Sequence, residues 1–314
     1  MAKIKKVAVI GDGMIGSSMA TLFAGNSYPV LIVGVEMERC QAALKNVEQN
    51  LDDLVKEGLI SEAGKRGAMK LVSVSVDYAD MKDADICFEA VFEDPEVKKG
   101  VYEKTEQYVR DDVVIASVTS AISADVLGEF FTHKERFVVA HPWNPPHLVP
   151  LVEVCRSKYT SDETVKTVQE FLDGIGRKTV VLKKNIEGFI GNRLQHAMFR
   201  EALYLMEAGV ATAEDIDDVV YYGFGPRYSE LKLMEHFDCA GLPLHKQVES
   251  TLFPTLCNAT GPQKVLLDCI AEGKLGMKTG EGVLKWKNID IDDFRERQRR
   301  PFYKFVKWNL PEDQ

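Results

Sequence analysis

The residues best suited to chemistry are a histidine, a glutamate, a serine and an asparagine, each beside an apolar run. His141 in AHPWNPP carries the side chain whose ordinary titration range spans neutral pH, so it suits taking the proton of an alcohol under oxidation. Glu153 in PLVEV could hold the other ring nitrogen, fixing the tautomer and stabilising the imidazolium. Ser120 in SVTSA and Asn192 in FIGNRL could hold the substrate oxygen. Each also has a plain structural use: a satisfied strand-end histidine, a solvent-facing glutamate, a helix-capping serine, an asparagine on an exposed helix face. Spacing alone leaves both readings open.

Hydride from such an alcohol needs an acceptor, and the chain opens with a loop made for one. GDGMIG runs from Gly11 to Gly16 after an apolar strand and before a helical pattern. Gly11 permits a tight turn, Gly13 lets backbone approach a pyrophosphate, and Gly16 lets helix and strand pack closely. Met14, Ile15 and Gly16 open the helix, whose N-terminus then faces the anion. The acid that accepts from the adenosine ribose hydroxyls is expected about 20 residues further on. There the strand ends VLIVGVEMER, with Gly34 at the expected position, Glu36 beyond it and then Arg39. Glu36 turning back favours NAD, whereas Arg39 meeting a 2′-phosphate admits NADP; NAD is the favoured cofactor.

These groups require a scaffold of alternating strands and helices. Apolar runs at 6–11, 30–35, 71–76, 84–91, 113–118 and 136–141 alternate with helical stretches, the grammar of a parallel, doubly wound Rossmann-like sheet. The charged stretch after Val35 predicts a pair of helices. Thr160 and Glu163 read as a capping box opening a helix that ends near Gly174, and TVVL at 179–182 reads as a last strand. After Asn185 long amphipathic patterns take over, with Gly209 and Gly223 as stops. The expected division is therefore an α/β dinucleotide-binding domain over 1–185 and a helical domain over 186–314.

Bulk properties narrow the class. A chain of 314 residues suits about two domains. Its apolar share of 45%, without a run long enough to span a bilayer, describes no membrane protein. A net charge of -9 argues against general nucleic-acid binding; the RERQRR run at 295–300 reads as a solvated helix face or, alternatively, an interface. Six cysteines without a CxxC pair point away from metal and disulfide frameworks, towards a reducing cytoplasm.

The chain resembles the 3-hydroxyacyl-CoA dehydrogenase family over nearly its whole length. GDGMIG, ADICFEAVFEDPEVKK, HPWNPP, PLVEV, EGFIGNRLQ and KLGMKTGEGVLKW stand in the family's order. The resemblance implies an active site of Ser120, His141, Glu153 and Asn192, and cofactor contacts from Glu93, Lys98 and Asn144. AHPWNPPHLVPLVE and NRLQHAMFREALYLMEAG look most like the branch containing L-gulonate 3-dehydrogenase (lambda-crystallin) and carnitine dehydrogenase, which act on small free acids. Arg227 in GFGPRYSE matches an arginine of that branch, and its planar fork suits a carboxylate. Lys232 and Leu233 stand where the branch has Gly and Pro ahead of Glu235, so Lys232 joins the candidate pocket lining. Val118 replaces an asparagine common in the acyl-CoA enzymes. Trp143 is larger than usual, and either narrows the pocket or packs in the core.

The expected activity is interconversion of an L-3-hydroxy acid and its 3-keto form. The alternatives are an L-3-hydroxyacyl-CoA dehydrogenase, with Lys56, Lys65 and Arg66 gripping CoA, and a non-catalytic dinucleotide-binding structural protein. The family resemblance also implies a homodimer, with 186–314 as the substrate and dimerisation domain.

Overall fold

The computed structural model describes residues 4–287 and 289–311. Eight strands form one sheet in the order β3-β2-β1-β4-β5-β6-β7-β8. These are β1 Val7–Ile10, β2 Val30–Val33, β3 Val72–Ser75, β4 Ile86–Glu89, β5 Val114–Ser117, β6 Phe137–Pro142, β7 Leu151–Cys155 and β8 Lys178–Val181. Most are apolar throughout because helices cover both faces. Alternate residues therefore serve two cores: Val7, Val9, Ile32 and Phe88 pack on one side, Ala8, Ile10, Val33 and Cys87 on the other.

The sheet is parallel from β3 through β6, as its sequence pattern predicts, but β6 and β7 pair antiparallel. The short link 143–150 holds no helix, so the chain can only double back, as a crossover would need about a dozen residues. That reversal sets His141 directly opposite Glu153 in register.

Helix α1 is Met14–Gly25, and the charged stretch beyond β2 forms α2 Met37–Lys56 and α3 Glu62–Lys70. They are followed by α4 Pro95–Tyr108, α5 Ala124–Gly128 and α6 Asp162–Gly174. The cap of α6 lies one residue beyond the expected box: the Ser161 hydroxyl accepts from the Thr164 N–H, while Thr160 turns inward to the Phe137 carbonyl.

Residues up to Ile190 pack together with those from Arg295 onward, and Gly191–Phe294 form a second compact unit. The change in composition falls at 185; the change in packing falls five residues later, and the chain's last stretch belongs with the first unit. The second unit is helical, starting with α7 Gly191–Glu207 and α8 Ala213–Val219. Gly209, at φ 67°, does end α7. Gly223 stops nothing: a π-helical turn over Val220–Phe224 carries the chain into α9 Gly225–Tyr228, and α10 Leu233–Ala240, α11 Leu242–Leu252, α12 Lys264–Ala271 and α13 Ile291–Arg299 follow. Among the described residues no helix is long and apolar enough to cross a membrane.

Candidate active site

The chemistry gathers where β5 and β6 end and the antiparallel β7 begins. His141 and Glu153 are buried neighbours across the antiparallel pair, so their side chains leave the sheet on the same face. The His141 Nδ1 lies 3.2 Å from Glu153 Oε2, and Nε2 lies 3.2 Å from the Ser120 hydroxyl. With Nδ1–H donating to the carboxylate, Nε2 keeps a free lone pair towards Ser120 and the more open side of the site.

The carboxylate is held from three directions. Glu153 Oε2 also accepts from the Trp143 indole N–H at 3.2 Å, and Oε1 accepts from the Ile190 N–H at 2.8 Å. Phe189 brings that N–H into place: it adopts φ 50° directly after Gly188 at φ 73°, and its buried ring lies 5.2 Å from the His141 ring. A left-handed conformation at a bulky residue costs on the order of 1–3 kcal/mol and persists only where surrounding packing enforces it. Phe189 and Ile190, within the first unit, thus give the site a phenylalanine ring and a backbone donor. Cys155 follows on β7, its thiol pushed up to about 11 chiefly by burial.

Ser120 is positioned from below. Glu93 accepts from the Thr119 hydroxyl and from the N–H groups of Ser120, at 2.9 Å, and Ala121, at 3.0 Å. Burial alone would raise its carboxyl, but the Thr119 hydroxyl, the Lys98 charge and the two N–H groups hold it below the ordinary carboxylate value. Lys98 is only 1% exposed, with its ammonium 2.6 Å from Glu89 and 3.4 Å from Glu93. It therefore secures Glu93 from behind instead of presenting its charge to the cleft. Glu89, fully buried at the end of β4, also takes the hydroxyls of Tyr102 and Ser117 and the Val91 N–H. This carboxylate network joins β4, α4 and β5 under the site.

The cofactor loop fits a dinucleotide. Gly11 adopts φ 130°, and a Cβ there would meet the Ala90 carbonyl at 2.4 Å; one on Gly13 would meet nothing within 4 Å, which leaves room for a phosphate against the backbone. Gly13 caps α1 without a side-chain hydrogen bond, so the first N–H groups of the helix, at Met14, Ile15 and Gly16, are available to an anion. NAD supplies a hydride acceptor when bound in such a loop.

At the end of β2 no side chain fits: a Cβ on Gly34 would meet Asp12 Oδ2 and Cys40 Sγ, each at 2.5 Å. The carboxylate there comes from the glycine loop. Asp12, 4% exposed, accepts from the Val35 N–H and pairs at 2.6 Å with Arg39, which is 58% exposed. Glu36 is exposed at the start of α2. The Arg39 charge is thus already matched by Asp12, whereas a 2′-phosphate would need it free.

Asn144 is exposed in the loop after β6. The remaining candidates belong to the second unit. Asn192 lies in the first turn of α7. Arg227 rests at 3.1 Å on His236 Nε2, and Lys232 pairs with Glu235 at 3.0 Å across the start of α10. Trp143, Glu89, Phe189 and Asp12 contribute contacts that sequence reasoning missed. Trp143 was marked by its size and not by its N–H, and Asp12 had a local signal, an acid inside the glycine loop facing a strand that ends in glycine.

Comparison with known proteins agrees with this geometry. The family model of the 3-hydroxyacyl-CoA dehydrogenase NAD binding domain matches residues 6–186, and that of the C-terminal domain matches residues 188–286. A 5-formyl-3-hydroxy-2-methylpyridine 4-carboxylate 5-dehydrogenase of Mesorhizobium japonicum is 33% identical over 89% of this chain and 90% of its own. An L-carnitine dehydrogenase of Oceanobacillus iheyensis is 36% identical over 76% of both chains. Among solved structures, a 5-formyl-3-hydroxy-2-methylpyridine 4-carboxylic acid 5-dehydrogenase, described as an NAD+-dependent dismutase, superposes with a TM-score of 0.83 at 32% identity over 97% of each chain. An (S)-3-hydroxybutyryl-CoA dehydrogenase of Ralstonia eutropha gives 0.77 at 28% identity over 90% of this chain and 99% of its own. Matched by both models along most of its length, this chain belongs to the 3-hydroxyacyl-CoA dehydrogenase family and is an NAD-dependent dehydrogenase.

Proposed function

We propose that the protein oxidises a small free L-3-hydroxy acid to the 3-keto acid, or runs the reverse reduction, with His141 as the acid–base group. The observation that carries this is His141 held between Glu153 and Ser120. In the oxidative direction the substrate hydroxyl lies against His141 Nε2 and the Ser120 hydroxyl. Its proton passes to Nε2 as the C3–H bond breaks; NAD+, held in the glycine loop by the N–H groups of Met14, Ile15 and Gly16, would supply the acceptor for the hydride that C3 gives up. Glu153 stabilises the imidazolium through Nδ1–H and keeps the ring from turning. Asn192 is assigned to the substrate oxygen and Asn144 to the nicotinamide end of the cofactor. Glu93 acts by positioning Ser120, and Lys98 by holding Glu93. Reduction reverses these transfers.

Two observations favour a free acid over a CoA thioester. Arg227 rests on the His236 ring and not on a carboxylate, which leaves its charge for a substrate carboxylate. Lys65, a candidate for gripping CoA, is already paired with Asp52 at 2.5 Å and with Glu48 at 3.6 Å. Lys232 is likewise bound to Glu235 and serves as lining, not as the anchor. A second reading comes from the Mesorhizobium relative, whose named substrate carries both a formyl and a carboxylate group. A hydrated aldehyde presents His141 with the same hydroxyl and the same departing hydride.

The homodimer belongs to this proposal. In the single chain no described residue of 191–294 is buried, and Leu194, Phe199, Leu244, Phe253 and Ile270 are exposed. Amphipathic helices without a buried core call for a second copy. The cysteines are all unpaired, which fits work in the cytoplasm.

Initial rates with NAD+ test the substrate. L-Carnitine, L-gulonate and L-3-hydroxybutyrate are compared with (S)-3-hydroxybutyryl-CoA, alongside the Arg227→Met variant. Turnover of a free acid, with its KM raised about tenfold or more by Arg227→Met, is expected. Turnover of the thioester alone would sink the free-acid assignment.

A further inference from the structure

We propose that the Trp143 indole tunes the His141–Glu153 pair: by donating its N–H to the carboxylate oxygen that His141 also uses, it favours the neutral imidazole and extends the pH range over which His141 can act as a base. The inference rests on His141 being the acid–base group.

Glu153 Oε2 receives both His141 Nδ1 and Trp143 Nε1 at 3.2 Å, and Oε1 receives the Ile190 N–H. Glu153 is 1% exposed, so water cannot easily replace a missing donor. When the ring is protonated, the adjacent imidazolium meets much of the carboxylate's charge. When the ring is neutral, the hydrogen bonds to the carboxylate carry more of that charge. A further N–H therefore stabilises the neutral-ring state more than the ion pair, and sharing Oε2 weakens its hold on the imidazolium.

The indole has one other route to the imidazolium, a cation–π contact, which would act in the opposite direction. Its centroid is 6.5 Å from that of His141 with the planes at 59°, beyond the range in which a ring face holds a cation effectively. The polar edge of Trp143 therefore decides the sign. The other titratable groups facing the pair do not change with the indole. Glu93, from the β4–α4 loop, accepts from the Ser120 backbone N–H. Cys155 on β7 keeps a neutral thiol because burial raises it. Phe189 contributes an apolar wall. Within the motif, then, the large residue at 143 matters for its N–H as well as for its volume.

The test is Trp143→Phe, which keeps an aromatic ring and removes the donor. NMR follows the His141 ring proton against pH in the full-length protein, with the signal assigned by its absence in His141→Gln. The ring titration should move to higher pH by about half a unit or more, and the acid limb of the kcat/KM profile for oxidation should move with it. An unchanged or lower titration would overturn the proposal. In a Glu153→Gln background the same substitution should shift nothing; an equal shift there would show that the indole acts by bulk and overturn it too. Should Trp143→Phe fail to fold, the wild-type indole Nε1 proton takes its place: its resonance should move with the His141 titration, and a constant position would refute the link. None of the NMR readouts needs substrate. A titration shift in a protein whose turnover ignores His141→Gln would therefore reject the catalytic reading while leaving the tuning intact.

Discussion

Taking a proton in a buried place leaves a charge there, and the residues around His141 are arranged to accept it. A carboxylate as buried as Glu153 would cost several kcal/mol if unpartnered; here three N–H groups satisfy it before any substrate arrives. His141→Gln keeps hydrogen-bonding capacity beside Ser120 and Glu153 but cannot take up a proton near neutral pH. Turnover should fall by about a hundredfold or more, while the NADH dissociation constant, read from fluorescence, stays within about twofold, since the glycine loop lies on β1 and α1. Retained turnover would place the base elsewhere. The first-unit site was legible where a single residue type has a single chemical role, as with a histidine ending a strand, a carboxylate on the next strand and a serine after β5. What sequence could not show were roles set by tertiary approach. The acid beside Gly34 proved to be Asp12, from the glycine loop after the neighbouring strand, and Lys98 proved to be buried behind Glu93.

At the scale of elements, the loop between β6 and β7 is clamped to the cofactor helix. The His147 ring sits 2.7 Å from the Ser18 hydroxyl on α1, which also accepts the His147 N–H at 3.1 Å. From the other side Arg177, drawn down to about 10 by burial, donates to the carbonyls of Pro146 and Val149. Burial, reinforced by the charges of Arg299 and Arg177 against Asp53, lowers His147 to about 3. The unfolded chain takes up this proton near pH 6.5 and the folded one only near pH 3, so the neutral ring's contribution is intact above 6.5 and is lost as the pH falls between those values. At pH 5 the loss amounts to about 1–2 kcal/mol. His147→Asn should therefore lose less thermal stability than the wild type between pH 7 and pH 5; an equal loss in both would remove His147 as the acid-sensitive group. Apolar runs announced the strands to within a few residues because sheet burial is written into composition. The antiparallel turn of β7 was not legible, since direction depends on how the 143–150 link folds, and Thr160 lost the capping role to Ser161 because its hydroxyl found a buried carbonyl.

At the scale of the whole chain, the first unit closes on itself in a way that the charge run at 295–300 concealed. Arg299 pairs with Asp53 on α2 at 2.6 Å, so part of that run is an interface within the chain. Beyond it, Trp308 lies on Gly25, Leu310 on Gly64 and Pro311 on Gly67, while the Asn309 carbonyl accepts from the Ser27 hydroxyl and its N–H donates to the Asn26 side chain. The second unit is thus an insertion, continuous at both ends with the first. Three glycines on α1 and α3 look like weak helix formers in sequence, yet they are the seats of this returning segment. A Cβ on Gly25 would stand 2.3 Å from the Trp308 ring. In an isolated helix Gly25→Ala would gain up to about 1 kcal/mol; here it should destabilise by forcing the indole off. Trp308→Ala should cost about 2–4 kcal/mol and lower Tm by roughly 5 °C or more, whereas Trp308→Phe should cost much less, because the indole N–H is buried without a partner and its removal relieves that cost. The decisive variant is the double one. If the ring is what excludes a side chain at position 25, the penalty of Gly25→Ala should disappear in the Trp308→Ala background, and calorimetry would show the two changes to be non-additive. Additive losses would mean that the segment is held elsewhere along its length.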